Sequence, residues 1–290
     1  MKIHLNQGCP LDLNFTLCCG QTFRWEKHGE WWYGVVRDRV FKVRQTGDEL
    51  EVENADLFFA KEYFGLNDDL PTIGFQIGKD VHIKKAFKTF NGLRILRQDP
   101  WECLISYICA TYKNIAAIKR MLLELSRKFG NGSHFDDHEF FSFPKPETLA
   151  KASIAELAEC GLGYRARYVL ETAKMVYEND FDFRLLSRVD YEKAKVKLLD
   201  FPGVGLKVAD CVLLFSLGKL EAFPVDVWMK RVIQRHYAKH FPEDFIKKIA
   251  SERSPNKKEY EKLNQFGREY FGEYSGYAQE YLYHYERMHR

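Results

Sequence analysis

The sequence predicts an α+β chain, with a twisted antiparallel sheet at the N-terminus followed by a mostly α-helical region. Three observations lead there. Short runs alternating apolar with polar residues, separated by turn residues, fill positions 1–55. Longer runs at helical spacing dominate from Asp56 onward. Within them, Leu199-Asp200-Phe201-Pro202-Gly203-Val204-Gly205-Leu206-Lys207 reads as helix, tight hairpin, helix. The expected division is residues 1–95 and 96–290, with the helix-hairpin-helix at 192–217 and a return loop at 218–226. The last helix packs back on the N-terminal part.

Leu11, Leu13, Phe15 and Leu17 alternate with Asp12, Asn14 and Thr16, which predicts a half-buried strand. Trp31–Val36, Val40–Gln45 and Glu49–Glu53 follow as short strands joined by Arg37-Asp38-Arg39 and Thr46-Gly47-Asp48. Asp56–Phe64 and Lys79–Phe90 read as helices. Asp99-Pro100 is a helix start signal, a capping acid followed by proline at the first helical position. An apolar helix, Trp101–Thr111, follows it. Asn114–Phe129 makes another, and residues 130–146 read as a polar connection. Ser153-Ile154-Ala155-Glu156 matches a capping box. Gly161-Leu162-Gly163 then breaks the chain before Tyr164-Arg165-Ala166-Arg167-Tyr168.

The hairpin carries the chemistry. Pro202 ends the first helix, and Gly203 and Gly205 permit positive φ and leave backbone N–H groups uncovered. Exposed N–H groups at a helix N-terminus bind anions such as phosphate. Lys207 falls in the first turn of the second helix, whose buried stripe is Val208, Cys211, Val212 and Phe215. A positive helix end and an apolar face both disfavour an ammonium and favour a nucleophilic amine. About 11 helical residues carry the chain roughly 16 Å away. The link from Lys219 to Val225 spans up to roughly 23 Å, enough to return. Asp226 then caps a third helix, Val227–His236. An amine and a carboxylate are thus expected beside a phosphate-binding hairpin.

Bulk properties narrow the class. The chain is 46% apolar and 29% charged, an ordinary globular composition. A net charge of +3 allows a local nucleic-acid patch without demanding one, and 23 Phe and 16 Tyr make base stacking available. Seven cysteines without regular spacing read as reduced thiols. No charged-then-apolar leader follows Met1 and no apolar run reaches about 18 residues, so a cytoplasmic monomer with no membrane partner is expected.

The segments Lys207-Val208-Ala209-Asp210-Cys211 and Pro224-Val225-Asp226-Val227 resemble the helix-hairpin-helix DNA glycosylases with a Gly/Pro-rich loop and terminal Asp. Within that superfamily they resemble the 8-oxoguanine DNA glycosylase/lyase branch. Gly20-Gln21-Thr22-Phe23-Arg24-Trp25 resembles the branch's Gly-Gln-Ser-Phe-Arg-Trp segment, and the Gly-Tyr-Arg-Ala-Arg-Tyr string matches at 163–168. The final helix around Gly276-Tyr277-Ala278-Gln279 is similar to a Trp-Ala-Gln segment.

The resemblance implies excision of 8-oxoguanine from duplex DNA, with Lys207 as nucleophile. Asp226 would stabilise the sugar cation and help take up the lysine proton. The Gly20 carbonyl would accept the N7 hydrogen of the lesion. Gln279 would bond the Watson–Crick edge of the flipped base, with Tyr283 and Cys211 on its two faces. Tyr164 would wedge beside the lesion, Arg165 and Arg167 would meet phosphates, and Tyr112, Lys113 and Asn114 would face the gap in the duplex. Gly203 and Gly205 would present the hairpin to phosphate.

The resemblance has departures. Tyr112 and Lys113 replace asparagines of the eukaryotic enzymes, and Ala117 replaces the arginine that reads the orphaned cytosine. Weaker cytosine preference follows, and Ala117 and the short form point to a bacterial member. Trp228 replaces a histidine, so the phosphate contact there differs.

No cofactor is required. The hairpin carbonyls would allow a structural monovalent or calcium ion, as in relatives. No four-cysteine cluster follows the Asp226 helix, and the pairs His236/His240 and His134/His138 read as surface helix rather than zinc ligands. Two other readings use the same motif: a monofunctional glycosylase for alkylated bases, which lacks the lysine, and a non-enzymatic DNA-binding module.

Overall fold

The computed structural model describes residues 1–5 and 8–289. Five antiparallel strands, β1 (Lys2–His4), β2 (Trp25–His28), β3 (Trp31–Val36), β4 (Arg39–Thr46) and β5 (Glu49–Glu53), pair in the order β1-β5-β4-β3-β2. The first helix, α1 (Leu13–Cys18), lies between β1 and β2 in the chain. The helices α2 (Leu57–Tyr63), α3 (Leu70–Ile77), α4 (Val81–Thr89), α5 (Pro100–Ala110) and α6 (Ile115–Phe129) follow. A hairpin, β6 (Gly132–Phe135) and β7 (His138–Phe141), interrupts them. The helices then resume with α7 (Pro146–Ala150), α8 (Ile154–Leu157), α9 (Arg165–Glu178), α10 (Phe183–Arg188), α11 (Tyr191–Leu199) and α12 (Leu206–Ser216). The last four are α13 (Val227–His236), α14 (Glu243–Ser251), α15 (Lys257–Phe271) and α16 (Ser275–Met288).

Two expectations are corrected. The stretch Leu11–Leu17 is not a strand. Asp12 accepts the Phe15 N–H at 2.8 Å and caps α1, which buries Leu13, Thr16 and Leu17. The alternating pattern also contains an i,i+4 pair, Leu13 and Leu17, and the cap decides between the two periods. Residues 130–146 are not all loop, since they contain the β6–β7 hairpin. It turns at Asp136 (φ +49°) and lies on the outer face of the sheet. Tyr33 donates to Asp136 at 2.8 Å, Lys42 pairs with it at 3.1 Å, and His138 stacks on His28 at 4.1 Å. The His134/His138 pair is therefore on a hairpin rather than a surface helix. The sequence reading named no element between Phe64 and Lys79, where α3 lies, capped by Asp69 with Pro71 in its first turn, a signal like that read at Asp99-Pro100.

Two main apolar cores result. One joins the sheet to α1 and α2 through Leu13, Leu17, Trp25, Phe41, Leu50, Val52 and Phe64. The larger fills the helical region around α5, α12 and α16. The stretch 93–98 runs between them and is pinned by polar bonds. Arg94 is fully buried and donates to the carbonyls of Pro10 at 2.7 Å and Asp68 at 2.9 Å. Gln21 is fully buried too. It donates to the carbonyls of Thr16 and Arg94 at 2.9 and 2.7 Å, and accepts the Leu96 N–H at 2.8 Å. The sheet and the helices are thus tied where the Gly20 turn emerges.

Candidate active site

The hairpin forms as its residues require. Helix α11 ends at Leu199, and Val204 N–H donates to the Phe201 carbonyl at 3.1 Å to close the turn. Gly203 has φ +79°, and a Cβ there would come within 2.8–2.9 Å of the Tyr168 side chain, so glycine is needed twice over. Gly205 differs from expectation. Its φ is −95°, extended backbone, and it serves as the exposed N-cap of α12 with no side-chain cap bond. In α11, Val196 and Leu199 lie partly in solvent and Lys195 is buried.

Helix α12 is buried nearly all round, from Val208 to Phe215. Lys207 stands at its open end, half-buried, with Nζ 4.8 Å from the centre of the Tyr107 ring. Tyr107 in turn donates its hydroxyl to the Gln21 carbonyl at 3.2 Å. One phenol therefore links the lysine to the Gly20-Gln21 turn. Asp226 caps α13 as expected, its Oδ1 accepting the N–H groups of Trp228 and Met229, both at 2.9 Å. Burial pushes the Asp226 carboxyl up from the usual carboxylate range, against the pull of those two N–H groups and of Lys207.

Of the residues expected at the base, Cys211 lies within electrostatic reach of Lys207 and Asp226, and Tyr283 within reach of Asp226. Gly20 has φ +110°, and the space where its Cβ would stand lies 3.4 Å from the Tyr283 hydroxyl and 3.2 Å from Ile115. That close approach explains the glycine. Gln279 and Tyr283 lie one turn apart on α16; Gln279 is 4% exposed and its Oε1 has no hydrogen-bond partner. Cys211 is buried, and burial pushes its thiol up to about 12 despite Lys207 nearby, so the sulfur stays a neutral thiol. Arg287 closes the rim, donating to the Cys18 carbonyl at 2.8 Å and to the Tyr283 hydroxyl at 3.3 Å.

Two exposed aromatic tips stand between α5 and α6 and at the start of α9. Tyr112 is 72% exposed at φ +56°, and Tyr164 is 57% exposed, edge-on to Tyr168 with ring centres 6.0 Å apart. Arg165 is corrected: it is 3% exposed and donates to the carbonyls of Thr111 and Leu162. It ties the two tips from beneath instead of projecting outward. Arg167 is exposed and pairs with Glu171 at 2.7 Å. Lys113 is exposed. Asn114 is exposed too, but its side-chain oxygen is committed to the Ala117 N–H at 2.8 Å as the cap of α6. Trp228 is half-buried, with the Arg231 guanidinium 5.0 Å from its ring.

Sequence reasoning missed Tyr107, Gln21, Arg287 and Glu280. Gln21 lay within a segment already singled out. Glu280 was visible as an acid inside an otherwise aromatic helix. Tyr107 gave no signal, since tyrosine on an apolar helix is ordinary.

Comparison with known proteins decides the family. Residues 2–104 match the 8-oxoguanine DNA glycosylase N-terminal domain, and residues 105–254 match the HhH-GPD superfamily of base excision DNA repair proteins. The chain belongs to the HhH-GPD superfamily. It is 34% identical over 266 residues to an N-glycosylase/DNA lyase of Saccharomyces cerevisiae, covering 81% of this chain and 70% of that protein. A probable N-glycosylase/DNA lyase of Methanothermobacter thermautotrophicus is 33% identical over 230 residues, covering 72% of this chain and 68% of that protein. A Clostridium acetobutylicum 8-oxoguanine glycosylase/lyase, solved with duplex DNA bearing cytosine opposite 8-oxoguanine, superposes with a TM-score of 0.86 at 31% identity. That match covers 96% of this chain and 92% of the other. No helix among the described residues is long and apolar enough to cross a membrane, and no group of three or more His, Cys, Asp or Glu among them could hold a metal ion.

Proposed function

We propose that this HhH-GPD member is a bifunctional repair enzyme. It flips 8-oxoguanine and related oxidised purines out of duplex DNA, releases the base and cuts the abasic strand. The carrying observation is the convergence of Lys207 and Asp226 with the Gly20 turn, Cys211 and the Gln279/Tyr283 face of α16. Membership in the branch with the 8-oxoguanine glycosylase N-terminal domain supports the choice of base.

A base inside a duplex hides its C1′ atom, so extrusion comes first. Tyr112 and Tyr164 are the exposed side chains suited to hold the stack apart. The hairpin N–H groups, with Arg167 and Lys113, would meet phosphates. In the pocket the Gly20 carbonyl accepts the N7–H that 8-oxoguanine has and guanine lacks, where guanine would set a lone pair against an oxygen. Gln279 brings an unpartnered oxygen for a purine N–H.

Lys207, as the free amine, attacks C1′, and the bond from C1′ to the base breaks with its electron pair leaving on the base. The Asp226 carboxylate stabilises positive charge on the sugar. The adduct opens to a Schiff base, loss of a C2′ proton follows, and the 3′ phosphate departs. An ion on the hairpin carbonyls fits only in part, because Phe201 and Pro202 already accept bonds from Val204 and Thr172. No step passes through it. We read the chain as a monomer on its duplex.

Borohydride trapping tests this reading, with one 8-oxoguanine in a duplex beside an undamaged control. Wild type should give a lesion-dependent covalent adduct. Lys207→Gln should lose it, and lose base release by at least about 100-fold, with lesion binding retained. An active wild type that gives no adduct would overturn the lysine mechanism and favour a monofunctional glycosylase. Lesion-independent binding without base release would leave only a DNA-binding module.

A further inference from the structure

The Gly20 turn is held unequally from its two sides. After it comes Gln21, fully buried, whose side chain bonds to Thr16, Arg94 and Leu96. The Gln21 carbonyl accepts from the Gln98 side-chain amide at 2.8 Å and from the Tyr107 hydroxyl at 3.2 Å. Before Gly20 the ties are fewer. The Cys19 N–H donates to the Phe15 carbonyl at 3.0 Å. Among the described residues the Cys18 carbonyl takes its hydrogen bond from the Arg287 guanidinium, whose Nη2 donates to it at 2.8 Å.

Arg287 reaches a second wall with the same fork. Its Nη1 donates to the Tyr283 hydroxyl at 3.3 Å, and Nη2 lies 3.5 Å from Nδ1 of His284. The point where a Gly20 Cβ would stand is 2.8 Å from Nη1 and 3.4 Å from the Tyr283 hydroxyl. The guanidinium and the phenol therefore lie together over the open face of Gly20. One acceptor belongs to the turn after α1 and the other to α16. A planar guanidinium holds two acceptors in a fixed relation, which a lysine ammonium on a flexible stem does not.

We propose that Arg287 is a positioning residue for base recognition, setting the gap between the Gly20 turn and the Tyr283 ring. The inference deepens the 8-oxoguanine reading and rests on it. An N7–H donor needs its acceptor within about 2.7–3.2 Å. A Gly20 carbonyl free to shift by about 1 Å loses that bond to the lesion, and it also escapes the lone-pair opposition that rejects guanine. Loss of Arg287 therefore lowers discrimination from both directions while general duplex affinity stays. A phosphate contact behaves otherwise, since it adds the same attraction to every duplex.

The test is equilibrium binding to two duplexes that differ at one position, 8-oxoguanine or guanine. Lys207→Gln serves as the parent protein, so that no strand is cut, and amide hydrogen exchange is followed on the same proteins without DNA. Adding Arg287→Met should reduce the preference for the lesion at least about 10-fold, with guanine-duplex affinity unchanged, and should speed exchange at residues 19–21. Arg287→Lys should recover part of the preference, because it keeps the charge and loses the fork. Tyr283→Phe keeps the ring and removes the hydroxyl. It should cost about 3-fold alone and nothing further beside Arg287→Met.

Equal weakening on both duplexes overturns the proposal and makes Arg287 a phosphate contact. Full recovery with Arg287→Lys overturns it in favour of charge alone. Additive losses from Arg287→Met and Tyr283→Phe show two independent groups, and an unchanged preference or unchanged exchange also counts against it. If Arg287→Met does not fold, Arg287→Lys and Tyr283→Phe carry the same comparison. Failure of the underlying reading is separate, since a parent protein that binds both duplexes equally removes the choice of base before any Arg287 variant is made.

Discussion

Helix α12 borders two buried polar clusters of opposite kind. Around Asp210 every donor is matched. Tyr191 donates to Oδ1 at 2.5 Å, and Lys195, Tyr260 and Asn264 donate to Oδ2 at 3.0, 2.5 and 3.1 Å. On α16, which borders the Lys207 end of that helix, one oxygen each of Gln279 and Glu280 lacks a partner. The closed cluster holds the open one. Asn264 also donates to the Phe223 carbonyl at 2.9 Å, and the Tyr260 hydroxyl accepts the Val225 N–H at 3.3 Å. Those two bonds fix the loop that delivers Asp226. A satisfied network thus sets the geometry of the loop, while the unsatisfied oxygens sit on a different element, α16.

The contrast can be broken experimentally. Asp210→Ala should show the largest effect, a loss of about 3–5 kcal/mol in denaturant unfolding, because the Lys195 ammonium is left buried without its partner. Adduct formation should fall with it as the Asp226 loop loosens.

Glu280→Gln should act with the opposite sign. The acid titrates near 7 in the folded chain against 4.5 unfolded, so between those values the folded state holds more protons. Wild-type stability from this group is therefore undiminished below about pH 4.5 and falls as pH rises toward 7, by roughly 3 kcal/mol in all. The glutamine variant escapes that loss, and its melting temperature should exceed wild type at pH 8, with the gap closing by pH 5. A gap that does not change with pH would show that Glu280 is not a strained acid.

The smallest effect belongs to Tyr260→Phe, which removes one of four bonds to Asp210 and the acceptor of the Val225 N–H. It should cost about 1–2 kcal/mol in the same unfolding assay and slow base release by about 2- to 3-fold as the Asp226 loop loosens.

Much of this site was legible in the chain because its signals are local. The Pro202–Gly205 hairpin, the Asp226 cap and the Ser153 capping box each depend on residues within a few positions. The partners of Asp210 were not legible. They are 19, 15, 50 and 54 residues away, and nothing nearby in sequence pairs them. Arg165 misled for the same reason, since the carbonyl that draws it inward belongs to Thr111, 54 positions earlier. The Leu11–Leu17 stretch failed on a different count, because an alternating pattern seven residues long also satisfies one helical turn. Tyr107 shows the remaining gap: its role comes from lying between Lys207 and Gln21, a relation only the folded chain contains.

The rim bond from Arg287 to the Cys18 carbonyl spans 269 positions of the chain. One rim of the site therefore joins the turn after α1 to the last turn of α16, two segments far apart in the chain. Until α16 docks, the Gly20 turn stands without the Tyr283 hydroxyl and the Arg287 guanidinium that pack against it, so that turn cannot be completed by its own neighbours in sequence.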